Sequence, residues 1–375
     1  MTGIRYVSLH EASGYGVAAT RYLRGLVRSG VRLTWTPMIR GKGWNMGYEP
    51  YRGSSAGEPW LRPYCNRKIE YDTVVVHTVP EYYPLWKARE PGKKIIGSTV
   101  WETDRPPRHW IPILNGVDGL MVPCAWNREV FRRHGVSTPI AVIPHIPTTD
   151  TIAGIPRRRD EESLFTFYTI ATWTARKALW ATIESYLNAF SKDDPVCLLI
   201  KTTKRDFTSG SFGPFFRTTR SLVRRIVRTR RAAPPIRLVT DELSAEAMLS
   251  LHARGDCYVS LSRSEGWGIG AYDAAAFGKP VVATGYGGQL DYLGSDLAYL
   301  VDYRIVQVED SRGSASYSSD QHWAEPDMRH ASQLMRRVFE NQEEARARGA
   351  LLAESVRSSF DESAISATLV EFVSA

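Results

Sequence analysis

The sequence predicts an α/β protein with two domains, each built on a mostly parallel sheet. Its 375 residues are the usual length of two domains rather than one. Short apolar runs rich in β-branched residues alternate with stretches of helix length, and this pattern occurs once in each half of the chain. A composition of 43% hydrophobic and 23% charged residues is typical of a folded protein and excludes a disordered or collagen-like chain.

The first half contains five candidate strands. Two of the stretches between them, Val17–Ser29 and Asn127–His134, have the periodicity of helices. The predicted strands are Ile4–Leu9, Thr73–His77, Ile95–Val100, Leu120–Pro123 and Ile140–Ile143.

The second half repeats this alternation without repeating the residues. Helices are predicted over Ala178–Phe190, Ser244–Arg254 and Ala271–Phe277, and from about Asp327 onward the chain is predicted to be mainly helical. The predicted strands are Phe165–Ala171, Val196–Lys201, Ile236–Val239, Cys257–Ser260, Val281–Ala283 and Ala298–Val301.

A segment rich in proline, threonine and charged residues separates the two halves. Its composition, which includes Gly154 and Pro156, is typical of an exposed connector. We therefore predict an N-terminal domain over residues 1–148 and a linker over 149–163. A C-terminal domain is predicted over 164–355, followed by a last helix over 356–375 that returns toward the N-terminal domain.

The formal net charge of +8 favours anionic partners such as nucleotides, phospholipid surfaces or nucleic acid. The four cysteines lie far apart without a C-x-x-C pair, so neither a disulfide framework nor a zinc site is predicted. No apolar run approaches the roughly 18 to 20 residues that a membrane-spanning helix needs, and the N-terminus lacks the apolar region of a signal peptide. We therefore expect a cytoplasmic protein.

Seven arginines lie close together between Arg217 and Arg231. Leu222, Val223 and Ile226 recur among them at helical spacing, which indicates an amphipathic surface helix with a basic, solvated face. The alternative is a peripheral contact with an anionic membrane surface, to which each basic residue contributes about 1 kcal/mol. Nucleic acid is not expected, because no aromatic stacking platform accompanies the charges.

The most informative stretch runs from Ser262 to Thr284. It predicts a strand end, a glycine-rich turn, a short alanine-rich helix and another buried strand. In an open α/β sheet, ligands bind beyond the carboxyl ends of strands, where helix N-termini offer free N–H groups to anions. The turn carries Glu265, and a second acid, Asp273, follows eight residues later. Each acid alone could be solvated or favoured by a helix dipole, but the pair with its glycines points to a binding site.

This stretch resembles the donor-site signature of the retaining glycosyltransferases of family 4. The signature is Ser-x-x-Glu-Gly-x-Gly, a second acid eight residues after the first, Ala-x-x-x-Gly-x-Pro-Val-Val-Ala, and a Gly-Gly loop that corresponds here to Gly287 and Gly288. The resemblance implies the GT-B fold, in which two Rossmann-like β/α/β domains face each other across a deep cleft. It also implies that the donor substrate is a nucleotide-diphosphate sugar rather than a bound cofactor. The sequence has no Asp-x-Asp motif that would indicate a required metal, so we expect positive side chains to take over that role.

The resemblance assigns donor-site roles to this stretch. It implies that Glu265 contacts hydroxyls of the donor sugar, and that the amides of Gly266, Trp267 and Gly268 face the sugar and the diphosphate. Asp273 stands where the family usually has Glu and would bind the ribose hydroxyls over a reach shorter by roughly 1.5 Å, directly or through water.

The segment from Ile170 to Lys177 resembles the family's strand-loop segment, whose lysine binds the donor diphosphate. Lys177 occupies that lysine position. The arginine that commonly precedes it is absent near Ala171, so either Arg176 substitutes for it or Lys177 and the helix end hold the phosphate alone. A solvated Arg-Lys pair at a helix start is the structural alternative.

Three sets of first-half residues are similar to residues that line the family's cleft. Gly14 and Gly16 match a glycine loop after the first strand, which implies a part in donor binding, although an ordinary strand-helix turn would look the same. His77 ends a predicted strand near the family's cleft histidine, and Glu102 follows the next strand. For His77 and Glu102, the alternative is a hydrogen-bonded structural role.

Together these features predict a glycosyltransferase that transfers a sugar, with mannose as our expectation, to a saccharide or lipid-linked acceptor. Lys177, Arg176 and the turn amides would stabilise the leaving diphosphate, and His77 or Glu102 would position the acceptor. Two other classes stay open. A GT-B epimerase or phosphorylase would use the same scaffold, and a catalytically weak binder of nucleotide sugars or polyanions would agree with the change to Asp273.

Overall fold

The computed structural model describes residues 2–41, 47–148, 164–208, 217–310 and 316–375. The predicted linker over 149–163 lies outside the described residues. The chain divides into two compact units. The first unit comprises Met1–Trp101, Pro106–Pro147 and Phe360–Ala375, and the second comprises Glu102–Arg105 and Thr148–Ser359.

This division differs from the predicted domains at two places. Glu102–Arg105 belongs to the second unit, although it lies within the first 148 residues. The return to the first unit comes at Phe360 rather than at residue 356, because a helix over Gln342–Ser359 continues through the predicted boundary.

The strands of the first unit form one sheet. Seven are present among its described residues: β1 (Ile4–Leu9), β2 (Leu33–Arg40), β3 (Tyr48–Pro50), β4 (Thr73–His77), β5 (Lys94–Ser98), β6 (Gly119–Val122) and β7 (Ile140–Val142). Their order is β3-β2-β1-β4-β5-β6-β7, with parallel pairs except for the antiparallel pair β2 and β3. The helices are α1 (Gly14–Arg28), α2 (Tyr83–Arg89), α3 (Trp110–Leu114), α4 (Ala125–Arg133) and, at the end of the chain, Glu362–Ser374.

The second unit is built on a six-stranded parallel sheet, whose strands follow the same spatial order as the first six strands of the first unit. Its strands are β8 (Phe165–Ile170), β9 (Val196–Lys201), β10 (Ile236–Val239), β11 (Cys257–Ser260), β12 (Val281–Thr284) and β13 (Tyr299–Val301), with the short antiparallel pair β14 (Tyr303–Gln307) and β15 (His322–Pro326). The sheet order is β10-β9-β8-β11-β12-β13. The helices are α5 (Leu179–Ala189), α6 (Thr219–Val227), α7 (Ala245–Arg254), α8 (Ile269–Ala276), α9 (Met328–Glu340) and α10 (Gln342–Ser359), and the last helix of the first unit is α11 (Glu362–Ser374).

In both sheets the strand order reverses beside the first strand, between β1 and β4 and between β8 and β11. This reversal defines the topological switch point of a doubly wound sheet, where the loops at the carboxyl ends diverge and leave a crevice for ligands. The switch point in the second unit therefore lies between the loops that follow β8 and β11.

The strand β2 is not predicted from the sequence, because Pro37 cannot donate to a ladder and argues against a strand. In the structure Pro37 pairs with Ser8 of β1, and its carbonyl accepts a hydrogen bond from Tyr51 N at 2.8 Å. Within the described parts of the chain, no helix is long and apolar enough to cross a membrane. The four cysteines are buried free thiols.

Candidate functional site

The loops at the switch point of the second unit carry most of the predicted donor-site residues. The loop after β8 ends with Arg176 and Lys177 just before α5, and the loop after β11 contains Glu265 just before α8. Because β8 and β11 are adjacent, with Tyr168 paired to Tyr258, the two loops are brought together. Arg263 N donates to the carbonyl of Arg176 at 2.8 Å and connects the two loops directly.

Glu265 lies at the centre of an ionic cluster. Lys177 Nζ donates to both of its carboxylate oxygens, at 2.6 and 2.8 Å, and Arg176 Nη1 donates to Oε2 at 3.1 Å. Only 7% of the Glu265 side chain is exposed, against 23% for Lys177 and 16% for Arg176. The two predicted diphosphate ligands therefore meet the predicted sugar ligand in one partly enclosed cluster.

Glu102 belongs to the same cluster, although 74 residues of sequence separate it from Arg176. Its Oε1 lies 3.2 Å from Arg176 Nη2, and its Oε2 accepts a hydrogen bond from the hydroxyl of Tyr317 at 3.2 Å. The segment Glu102–Arg105 is anchored two residues later, where His322 N donates to Asp104 Oδ1 at 2.6 Å. The cluster thus contains two cations and two carboxylates, whose formal charges balance.

These pairings determine the protonation of the cluster. Burial alone would raise the pKa of Glu265, but the charges of Lys177 and Arg176 outweigh it and lower that pKa to about 2. Burial lowers the pKa of Lys177, and the carboxylate of Glu265 opposes this shift. Arg176 is also buried, yet Glu102 and Glu265 raise its pKa further. Glu265 is therefore a carboxylate at neutral pH.

The glycine-rich turn is shaped by close backbone contacts. Gly287 has φ +88°, and a Cβ there would lie 2.6 Å from the carbonyl oxygen of Glu265. Gly288 N donates to that same carbonyl at 2.8 Å. Gly268 has φ +82° and precedes α8, so glycine is needed where the turn enters the helix. The Gly-Gly loop therefore fixes the backbone that carries Glu265.

Trp267 and Gly266 lie inside this turn rather than on its surface. Trp267 is 2% exposed and packs against Tyr272 and Tyr292 at ring-centroid distances of 5.0 and 5.1 Å. The hydroxyl of Tyr292 lies 2.9 Å from the carbonyls of both Trp267 and Gly268. The side chain of Trp267 supports the turn from the core, whereas contact of the turn amides with a donor stays a prediction.

Asp273 is on α8 and is only 7% exposed. Burial raises the pKa values of Tyr168, Tyr258 and Tyr292, and the charge of Asp273 contributes to each shift. Asp273 thus lies near an aromatic part of the interior, outside the ion pairs of Glu265. Its contact with a ribose stays a prediction.

The residues predicted in the first unit lie in a different environment. His77 is 3% exposed, its Nδ1 lies 2.8 Å from the hydroxyl of Tyr6, and burial lowers its pKa to about 3. Gly14 and Gly16 form the first turn of α1 instead of a loop before it, since Ser13 caps this helix by accepting from Gly16 N. A Cβ on Gly16 would lie 1.9 Å from the carbonyl oxygen of Glu11, so the turn itself requires this glycine.

The predicted basic helix is α6. Its apolar residues Leu222 and Val223 are buried, and the seven arginines between Arg217 and Arg231 are exposed. No ion pair links any of these arginines to an acid among the residues that the structure describes. Beside α6 lies a groove of about 570 Å³, lined by Val223, Arg224, Val227, Arg228, Pro234 and Ile236.

Two residues contribute to the site although no sequence motif indicates them. Tyr317 and Tyr292 lie 52 and 27 residues beyond Glu265, outside any recognised motif. The sequence does not indicate that such a tyrosine belongs to the site, because only the fold brings it to its hydrogen-bond partner.

Comparison with known protein families finds a similarity within the second unit. Residues 238–309, which include the turn and α8, match the family described as Glycosyl transferases group 1. No curated protein matches the sequence.

Solved structures resemble the whole chain at low sequence identity. HepE of Anabaena, in complex with UDP and glucose, has a TM-score of 0.68 at 10% identity, with 100% of both chains covered. Sucrose-phosphate synthase from Thermosynechococcus elongatus has a TM-score of 0.69 at 14% identity, covering 99% of this chain and 98% of its own.

A third similar structure is much longer than this protein. S. aureus TarM, in complex with fondaparinux, α-GlcNAc-glycerol and UDP, has a TM-score of 0.56 at 13% identity over 81% of this chain. The chain spans about half the length of TarM, 55%. The two Rossmann-like sheets and the likeness to these solved structures show the GT-B fold, and residues 238–309 of the second unit are similar to the glycosyl transferases of group 1.

Proposed function

We propose that the protein is a retaining, metal-independent glycosyltransferase of family 4 that transfers a sugar from a nucleoside diphosphate donor to a saccharide or glycolipid acceptor. The observation that carries the proposal is the cluster of Lys177, Arg176 and Glu265 at the switch point of the second sheet. This is where a doubly wound sheet binds nucleotides, and the cluster combines cations for a diphosphate with a carboxylate for sugar hydroxyls.

The chemistry of the reaction explains this combination. Negative charge builds on the departing diphosphate as its bond to the sugar breaks, so fixed cations that face it stabilise the transition state. Lys177 and Arg176 supply this charge. The carboxylate of Glu265 holds Lys177 through two hydrogen bonds, so a bound diphosphate and Glu265 would compete for the same ammonium group. Donor binding would then turn Glu265 toward the sugar hydroxyls.

The donor is tested by hydrolysis of nucleotide sugars without an acceptor, because a transferase slowly hydrolyses its own donor. We expect hydrolysis of one member of a panel that includes GDP-mannose, our predicted donor, and UDP-glucose, the donor type suggested by the UDP and glucose in HepE. A protein that hydrolyses none and binds neither UDP nor GDP would contradict the proposal. An epimerised or phosphorolysed donor would favour the alternative enzymes, and binding without turnover would favour a catalytically weak binder.

Lys177→Ala tests the role of the cluster directly. Loss of a charge-assisted hydrogen bond to the donor should cost roughly 1.5–3 kcal/mol, which lowers kcat/KM about 10- to 150-fold. Lys204→Ala is the matched control, because Lys204 pairs with Asp241 on the surface of the same unit. Equal kcat/KM for the two variants would remove Lys177 from the donor site.

We also propose that α6 contacts the anionic inner surface of a membrane, which would bring a cytoplasmic protein to a lipid-linked acceptor. The exposed arginines and the apolar groove beside them support this proposal. Changing Arg224, Arg225 and Arg228 to Ser should weaken sedimentation with phosphatidylserine vesicles about 100-fold, at about 1 kcal/mol per arginine. Changing the exposed Arg128 and Arg132 of α4 should have little effect, and equal losses in the two variants would contradict a contact through α6.

A further inference from the structure

Glu102 uses both of its carboxylate oxygens inside the second unit. Oε1 pairs with Arg176 Nη2 at 3.2 Å, and Oε2 accepts from the hydroxyl of Tyr317 at 3.2 Å. The Glu102 side chain is 20% exposed. The carboxylate is thus held on one side by a cation and on the other by a hydroxyl.

Arg176 is held from three directions. Nη1 donates to the carbonyl of Ser264 at 2.7 Å and to Glu265 Oε2 at 3.1 Å, and Nη2 faces Glu102. The planar guanidinium group presents its donors at fixed angles, so acceptors on two sides determine the orientation of the whole group. Without Glu102, the contacts of Nη1 would allow the group to pivot.

The partners of Arg176 are themselves anchored. Asp104 accepts from His322 N at 2.6 Å, and Asp104 N donates back to the carbonyl of His322 at 3.3 Å. Gln321 Nε2 donates to the carbonyl of Ser316 at 2.9 Å, which closes the turn that carries Tyr317. Glu102 and Tyr317 therefore reach Arg176 from two backbone segments tied together at His322.

We propose that Tyr317 and Glu102 are positioning residues, which together hold the guanidinium of Arg176 where it meets the leaving diphosphate. This inference rests on the proposed function and changes the role of Glu102 from contact with the acceptor to orientation of a cation. The hydroxyl of Tyr317 contacts Glu102 and also interacts with Arg176, Glu102 pairs with Arg176, and Arg176 touches the substrate. Both residues thus affect the rate through Arg176.

A double-mutant cycle on turnover tests this network. Glu102→Gln should lower kcat for donor hydrolysis on the order of 10-fold, within the range that misplacement of a reacting group costs. Tyr317→Phe should lower it about 3-fold, and the double variant should lose less than the product of the two single losses, because residues in one network are not additive. The affinity for UDP, measured by calorimetry, should not fall in any of the three, because the cations remain. In an Arg176→Ala background, neither change should have a further effect.

Matched controls remove the same groups elsewhere in the second unit. Tyr303→Phe and Glu340→Gln alter exposed side chains, and their kcat should equal that of the wild-type protein. Additive losses, or the disappearance of the acid limb of the pH–rate profile in Glu102→Gln, would assign Glu102 to the acceptor and overturn the proposal. If the changes at Glu102 and Tyr317 are non-additive in the free energy of unfolding in urea but not in kcat, these contacts serve stability alone, and this result would also overturn the proposal.

Failure of this inference can be distinguished from failure of the proposed function. A wild-type protein that hydrolyses no donor contradicts the proposed function and this inference with it. A wild-type protein that hydrolyses a donor, with Glu102→Gln turning over equally fast, overturns only the positioning role.

Discussion

The two sheets share one strand order but differ at their switch points. In the first unit, β4 ends with His77, which is buried beside Tyr6 and has a pKa lowered to about 3. In the second unit, the loops after β8 and β11 bring together Arg176, Lys177 and Glu265 with their charges retained. The same strand order therefore holds an uncharged pair, Tyr6 and His77, in the first unit and the ionic cluster around Glu265 in the second.

This difference shows how a buried titratable group can be accommodated. Burial without a counter-ion favours the neutral form, as it does for His77. Burial beside an opposite charge keeps the ionised form, as it does for Glu265. Removal of one partner then leaves a buried charge without compensation, which destabilises the protein. Loss of a charge should therefore have a much larger effect in the second unit than in the first.

The largest effect is expected for Glu265→Gln. Among the described residues, removing this carboxylate leaves Lys177 and Arg176 with Glu102 as their counter-ion, so the free energy of unfolding in urea should fall by roughly 3 kcal/mol. Turnover should fall as well, whereas affinity for UDP should be kept or increase, because Glu265 no longer competes for Lys177.

The pH dependence of stability provides a second measurement on Glu265→Gln. The pKa of Glu265 is about 2 in the folded protein and about 4.3 in an unfolded chain, so its contribution to stability is present above about pH 4.3 and is lost as the pH falls toward 2. The variant should lack this loss. Weaker UDP binding in Glu265→Gln would show that the carboxylate serves the nucleotide rather than the sugar.

Much of the fold could be predicted from the sequence because each parallel strand is a local apolar run. The bounds of β1, β4, β9, β10 and β11 agree with the prediction. The strands β2, β14 and β15 could not be predicted. Pro37 interrupts the local pattern of β2, and β14 is exposed over most of its length, so it lacks an apolar run.

The site could be predicted only where its residues lie in motifs. Glu265 and Lys177 are in recognisable segments, and the structure brings them within 2.6 Å. The link from Glu102 to Arg176 and Tyr317 joins three distant parts of the chain, so only the fold can reveal it. Burial could not be predicted either, since a histidine at a strand end looks the same in sequence whether it faces solvent or the core.

A smaller effect is expected in the first unit from His77→Leu. The hydroxyl of Tyr6 would lose its buried partner, which should cost roughly 2 kcal/mol in urea unfolding, and Tyr6→Phe in the same protein should restore part of this loss. The folded pKa of about 3 lies below the unfolded value of about 6.5, so His77 makes stability fall as the pH decreases from 6.5 toward 3. In His77→Leu, the slope of the free energy of unfolding against pH should be smaller in this range by up to about 1.4 kcal/mol per pH unit. Loss of donor hydrolysis in a folded His77→Leu protein would instead place this histidine in the reaction.

The smallest effect is expected at Asp273, which lies near the cluster but outside its ion pairs. Asp273→Glu adds a methylene to a side chain that is 7% exposed, so it should destabilise the protein by about 1 kcal/mol, although it restores the reach usual in the family. Asp273→Asn keeps the size and removes the charge. If the carboxylate binds the ribose, calorimetry should show UDP affinity lowered about 10-fold in Asp273→Asn and unchanged or increased in Glu265→Gln, since an uncharged acceptor binds two hydroxyls less strongly. Equal losses of UDP affinity in the two variants would mean that both acids serve the nucleotide, and that the different surroundings of Glu265 and Asp273 do not separate their roles.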